Sequence, residues 1–182
     1  MKYLKEFTML ENERIRLRAL ETTDVDKLFI WENNRVNWRV SQTVTPYSRH
    51  ILIDYVNAIS DVFTDKQLRL IIEEKDSQAA IGTVDIFDCD FKNKRAGIGI
   101  LVAEPEKRGK GFASEVMEIL LPYCFQTLSM HQVYCSILTD NTESIKLFKK
   151  FGFEKVGVKK DWTFYEGKFY DEVLMQKFRS ND

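Results

Sequence analysis

Polar and apolar residues alternate through Arg14-Ile15-Arg16-Leu17-Arg18-Ala19-Leu20, which predicts a first strand with Ile15, Leu17 and Ala19 facing inward. Thr22-Thr23-Asp24 offers an N-cap, and Val25, Leu28, Phe29 and Ile30 follow at helical spacing, so a helix is expected as far as Asn33-Asn34. Residues 35–47 are mixed in polarity, contain Pro46 and read as a loop. Residues 48–62 read as a second helix with Ile51, Leu52, Tyr55, Val56 and Ile59 on one face. Residues 67–73 and 79–87 read as two antiparallel strands, residues 88–93 as a turn, and residues 94–102 as a further strand that Pro105 brings to a close. From Phe112 to Leu128 a broad apolar face carries Val116, Met117, Leu120, Cys124 and Phe125. Pro122 sits inside that helix, cannot donate to the carbonyl of Glu118, and is expected to bend it. A strand over residues 131–138, a helix capped by Asn141 and ended by Gly152, and a hairpin of residues 154–162 and 168–178 around Glu166-Gly167-Lys168 complete the pattern.

Length and composition add limits. The 182 residues fit one domain, 1–182, with 44% hydrophobic and 30% charged residues, as in soluble globular chains. No apolar run approaches the roughly 20 residues needed to span a bilayer. The start, Met1-Lys2-Tyr3-Leu4-Lys5-Glu6, lacks a signal-peptide core. Cys89, Cys124 and Cys135 are widely spaced and odd in number, which suggests neither a disulfide frame nor a zinc site. A cytoplasmic protein without a metal is expected. A net charge of −1 speaks against a nucleic-acid partner. Residues 1–91 carry a net −4 and residues 92–182 a net +3, a division that suits an anionic cofactor in one half and a cationic amine in the other.

The candidate chemistry centres on Arg108-Gly109-Lys110-Gly111-Phe112-Ala113-Ser114, between a strand and a helix. Bare N–H groups at a helix N-terminus, glycines without a Cβ, and the charges of Arg108 and Lys110 make an anion site there. A P-loop is excluded, because no Gly-Lys-Ser/Thr ending supplies a hydroxyl for Mg²⁺. A second segment runs from Asn141 and Ser144 through Leu147, Phe148 and Lys150 to Gly152 and Phe153. Together the two resemble the signature of the GNAT superfamily of acetyl-CoA-dependent N-acetyltransferases. The likeness runs over roughly residues 14–178 and is nearest to the branch holding spermidine and ribosomal-protein N-terminal acetyltransferases.

That resemblance implies an α+β (α/β) GNAT acyltransferase fold. Its central mixed, mostly antiparallel sheet has about seven strands, with about four helices flanking it. The sheet is splayed between the strands before and after the CoA-binding helix. It implies that Leu101, Val102 and Ala103 pair with the pantetheine arm, and that the N–H of Leu101 or Val102 serves as oxyanion donor. The diphosphate would lie over residues 108–114, with Asn141 on the pantetheine arm and Phe148 lining the cofactor site. Trp31, Glu32, Trp38 and Tyr47 would lie near the incoming amine.

Two departures stand out. Many relatives carry Tyr, taken to protonate the leaving thiolate, where this chain has Phe148. Many carry a carboxylate base where this chain has Gly97. Asp85 is the best substitute base, expected on one strand face with Phe87 and Cys89, and Tyr165 and Tyr170 are relay candidates. The expected reaction is direct attack of a primary amine on acetyl-CoA. The acceptor is a polyamine, a peptide N-terminus or another small amine, and a homodimer is compatible. The alternative is a non-catalytic acyl-CoA-binding module.

Overall fold

The computed structural model describes residues 10–41, 43–58 and 61–180. Its strands are β1 (Ile15–Ala19), β2 (Leu68–Glu74), β3 (Ala79–Asp90), β4 (Arg95–Val102), β5 (Gln132–Leu138), β6 (Glu154–Tyr165) and β7 (Lys168–Phe178). They form one sheet in the order β1-β2-β3-β4-β5-β7-β6. Every neighbouring pair is antiparallel except β4 and β5. Those two are parallel and pair only at Arg95–Gln132, Ala96–Val133 and Gly97–Tyr134. Beyond that point they part, and the sheet opens into the expected splay.

Six α-helices are seen among the described residues, against the four expected: α1 (Val25–Glu32), α2 (Arg35–Ser41), α3 (Arg49–Ala58), α4 (Val62–Asp65), α5 (Phe112–Pro122) and α6 (Thr142–Lys150). Two layers of side chains hold them to the sheet. On one face Val116, Met117 and Leu120 of α5, Cys124 just beyond it and Phe148 of α6 pack onto Ile15, Leu17, Ile72, Val84, Ile98 and Met175. On the other, Val25, Leu28, Trp31 and Leu52 cover Ile71, Ala80 and Ala103. Strand β2 buries both faces, so Leu70 and Ile72 point to the first layer and Ile71 to the second. No helix among the described residues is long and apolar enough to cross a membrane.

Several sequence expectations are corrected. Residues 35–47, read as a loop, contain α2. Its Val36 and Val40 are exposed while Asn37 is buried, so its hydrophobic period runs opposite to its packing. The helix begins with the Asn34 Oδ1 accepting from the Val36 N–H at 3.0 Å. The helix expected over 48–62 is interrupted by Asp61, which is extended and starts α4 by accepting from the Phe63 and Thr64 N–H groups. On α3 Leu52 is buried but Ile51 is exposed; Ile59 lies outside the described residues, as does the Met1–Glu6 start. In β1 Ala19 is exposed and Leu20 turns inward beside the second layer. Strand β3 runs on to Asp90 instead of ending at Phe87, and a bulge between Phe87 and Asp90 reverses its alternation. Cys89 therefore joins Val84 and Ile86 in the main core, not Asp85 and Phe87. After Pro122 the chain widens into a π turn over Tyr123–Thr127, closed by the Leu128 N–H on the Tyr123 carbonyl at 3.0 Å.

Asp24, expected as an N-cap, turns back to accept from the Glu21 N–H at 2.9 Å. It also takes a two-pronged bond from Arg18 (2.7 and 2.8 Å), whose Nε reaches Glu73 on β2 at 2.5 Å. Burial pushes both carboxyls up, but the hydrogen bonds and charge of the arginines outweigh it and hold them below the usual carboxylate range. A carboxyl lowered in the fold stabilises above its unfolded value of about 4, and that contribution disappears as pH falls through the folded values. Thermal unfolding from pH 7 to pH 3 is expected to show an acid limb that Arg18→Met makes shallower. An unchanged limb in that variant would remove the cluster from the account.

Candidate active site

The opening between β4 and β5 holds a cleft of about 380 Å³, and a groove of about 560 Å³ runs on from it over the N-terminus of α5. Ile100, Leu101, Asn141, Ser144 and Phe148 border both, so the two form one path.

The Gly-rich turn and the N-terminus of α5 border the far end of the groove. Gly109 and Gly111 sit at φ +71° and +89°, and a Cβ on either would meet nothing within 4 Å. The glycines are therefore required by backbone conformation and leave open space above the loop. Gly111 caps α5, and among the described residues none accepts from the N–H of Gly109, Lys110 or Gly111. Lys150, on the last turn of α6, brings its Nζ to 3.4 Å from Ser114 Oγ. Its ammonium stands beside the turn on which the sequence places the charges of Arg108 and Lys110. Arg108 is exposed and folds back along the chain: its Nε donates to the Val102 carbonyl (2.9 Å), and its Nη2 to Asn37 Oδ1 (3.0 Å) and the Ala103 carbonyl (3.3 Å). Lys107 is held by Glu74, and Arg14 by Glu115 and the Phe112 ring.

Along the open edge the alternation of β4 decides which backbone groups are free. The Ala103 N–H donates to Ile81 on β3 at 2.9 Å. Successive residues turn their polar groups to opposite edges, so Leu101, opposite Thr83, also faces β3, while Ile100 and Val102 face the opening. Of the two oxyanion donors expected, it is Val102 whose N–H lies on the cleft side.

Phe87 accounts for Gly97. The two are cross-strand partners, and a Cβ on Gly97 would lie 2.2–2.7 Å from the Phe87 ring. The ring fills the volume that a side chain at position 97 would need. Phe148 is buried, edge-to-face with Phe153 at 4.9 Å between ring centres, and offers no hydroxyl. Asn141 caps α6 through Oδ1, which accepts from the Ser144 N–H at 3.2 Å.

In the cleft, Asp85 and Glu32 converge on one guanidinium. Arg69 donates through Nε and Nη2 to Asp85 (2.6 and 3.2 Å) and through Nη1 to Glu32 (2.7 Å). Both oxygens of Asp85 are thus engaged. Arg69 had no distinguishing signal in the sequence; it is one charge on an alternating strand. Trp31 is 3% exposed and packs in the second core layer, its Nε1 donating to Glu104 at 3.1 Å. Trp38 donates to the Glu32 carbonyl at 2.6 Å and so fixes the end of α1. The Tyr47 N–H donates to Asn33 Oδ1. Tyr165 donates to the Arg35 carbonyl at 3.4 Å, and burial together with Glu166 pushes its phenol up. The Tyr170 ring lies under the Arg39 guanidinium at 4.3 Å. Glu172, also on the cleft, accepts from Thr163 (2.7 Å) and pairs with Lys159 (2.6 Å). Cys135 borders the cleft, but burial pushes its thiol up to about 12, so it stays protonated and is no nucleophile.

A family model described as acetyltransferase (GNAT) domain matches residues 14–154. The chain is 32% identical over 168 residues to the uncharacterized N-acetyltransferase p20 of Bacillus licheniformis, covering 91% of this chain and 93% of that one. It is 28% identical over 171 residues to the spermidine N(1)-acetyltransferase of Vibrio cholerae, covering 93% and 95%. The crystal structure of a spermidine N-acetyltransferase from Vibrio cholerae in complex with CoA and spermine superposes with a TM-score of 0.83 at 27% identity, over 92% and 96% of the two chains.

Proposed function

The chain belongs to the GNAT acetyltransferase family, and we propose that its acceptor is a primary amine of a polyamine-like cation. Acetyl-CoA is the co-substrate and acetyl transfer to nitrogen the reaction. In this reading the diphosphate lies on the N–H groups at residues 109–113 beside Lys150, and the pantetheine arm follows the open edge of β4 past Asn141. The Val102 N–H stabilises the tetrahedral oxyanion. The amine enters from the side of Glu32 and Asp85.

One observation carries the choice of acceptor: two carboxylates, Glu32 and Asp85, converge on the single charge of Arg69 at the cleft. The trio is left with a net negative charge in a partly desolvated place, which an ammonium neutralises and a carboxylate-bearing acceptor aggravates. The Vibrio cholerae relatives point the same way.

Attack requires the neutral amine. A polyamine nitrogen, with a pKa of about 10.4, gives up about 4.6 kcal/mol at pH 7 to become neutral, whereas an α-amine near 7.7–8.0 gives up only about 1 kcal/mol. With Phe87 in the space beside Gly97 and both oxygens of Asp85 on Arg69, no carboxylate stands ready at the usual place. That favours a second reading, a peptide N-terminus as acceptor. The Phe148 position costs less, because a thiolate with a thiol pKa of about 8.5 leaves without help from an acid.

A thiol-release assay with spermidine, N-terminal peptides and aminoglycosides from pH 6 to 9.5 tests these readings. Spermidine is expected to turn over, its kcat/KM climbing about tenfold per pH unit below pH 9 as the neutral fraction grows. Turnover confined to peptides would transfer the assignment to the second reading. Tight CoA binding without turnover of any amine would make the chain an acyl-CoA-binding module. A flat profile for spermidine would reveal a base within the cleft.

A further inference from the structure

Helix α2 was invisible to hydrophobic periodicity, yet it crosses the parted sheet. Val36 and Asn37 border the coenzyme groove, Arg39 and Ser41 border the acceptor cleft, and Val40 borders both. It is held from both walls. On the β5–β7–β6 side Arg39 pairs with Asp140 and lies over the Tyr170 ring, and Tyr165 reaches the Arg35 carbonyl. On the β4 side the hydrogen bond seen among the described residues is Arg108 Nη2 to Asn37 Oδ1 at 3.0 Å, between residues 71 apart in sequence.

Asn37 is 1% exposed, although it lies on a short helix whose valines are exposed. Its amide is used at both ends: the oxygen accepts from Arg108, and Nδ2 donates to the Trp31 carbonyl near the end of α1 at 3.1 Å. Arg108 in turn ties down the carbonyls of Val102 and Ala103 at the end of β4. A continuous line of bonds therefore runs from the open edge of β4, through the coenzyme loop, to the helices that form the acceptor side.

We propose that Asn37 is a positioning residue for acetyl transfer, coupling the coenzyme loop through Arg108 to the helix that roofs the acceptor cleft. Arg108 acts here as a strut and not as a ligand of the diphosphate. The proposal rests on the CoA seat described above, and it concerns how the two half-sites are kept in register. Cutting the link frees one end of α2, and a displacement of about 1 Å between amine and thioester costs about a hundredfold in rate.

The test uses Asn37→Ala, Arg108→Met and the double variant of the full-length protein. Each is assayed with the amine that wild type turns over best, and CoA binding is measured by calorimetry. Arg108 is exposed, so Arg108→Met decides the matter even if Asn37→Ala does not fold. In each single variant, kcat/KM for the amine is expected to fall about 10- to 100-fold while CoA affinity changes less than about threefold. The double variant should be no worse than the poorer single one within about threefold, because both cut the same link. A parallel loss of CoA affinity in Arg108→Met would make Arg108 a phosphate ligand and overturn the proposal. Multiplying effects in the double variant, or amine kinetics like wild type in both singles, would overturn it too. Failure of wild type to bind CoA would instead remove the coenzyme seat itself, an outcome visible before any variant is made.

Discussion

Gly111→Val is expected to raise the acetyl-CoA concentration needed for half-maximal rate about a hundredfold, while the protein remains folded. Two effects combine. At φ +89° a β-branched residue is strained by about 1–2 kcal/mol, so the loop shifts or the helix cap loosens. A new Cβ would also stand over the N–H groups that the diphosphate needs, in a space that is now open. Losing close approach to a doubly charged group through several donors is worth about 3 kcal/mol, or about two orders of magnitude. The strain alone should lower the melting temperature by about 2–8 °C for a chain of this size. Calorimetry with CoA and a melting curve separate the two effects. Wild-type CoA affinity in this variant would move the phosphate seat away from the loop.

Gly97→Glu is expected to have the largest effect on stability. The substitution places a carboxylate where the family resemblance implies one, but in this fold the Phe87 ring is already there, 2.2 Å from the would-be Cβ. Overpacking costs about 1–3 kcal/mol, and a buried carboxylate without a partner costs several more. The melting temperature should fall by about 8–16 °C. Phe87→Ala combined with Gly97→Glu should be less damaged than the sum of the two single variants by at least about 2 kcal/mol, since shrinking the ring restores the room. In that double variant, turnover of spermidine at pH 7 should exceed that of Phe87→Ala alone, because the new carboxylate can take the amine's proton. A Gly97→Glu protein that melts with wild type would show that the ring yields freely.

The motifs were legible because their chemistry is local. A strand, a Gly-rich turn and a helix are set by neighbouring residues, so residues 108–114 and the capped helix after Asn141 could be placed from spacing alone. The broad apolar face of α5 and the inward Ile15 and Leu17 of β1 likewise marked one face of the sheet. Helix α2 was missed for the converse reason: Val36 and Val40 point outward, and what holds the helix is Asn37, Arg39 and bonds from distant segments. The bulge that turns Cys89 into the core was equally out of reach, because one extra residue in a strand leaves no mark on composition.

By itself the sequence determined the family and the Gly-rich turn that leads into α5, and it set Phe148 and Gly97 apart from the residues that the family resemblance implies. Only the tertiary structure decided why Gly97 is glycine, which of Leu101 and Val102 faces the opening, that Lys150 comes up to Ser114 while Arg108 is tied to Asn37, and that Asp85 is bound to Arg69. The physical reason is range. Backbone conformation and helix capping are written within a few residues, whereas the direction of a guanidinium or the space beside a glycine is set by whatever the fold brings against it from elsewhere in the chain.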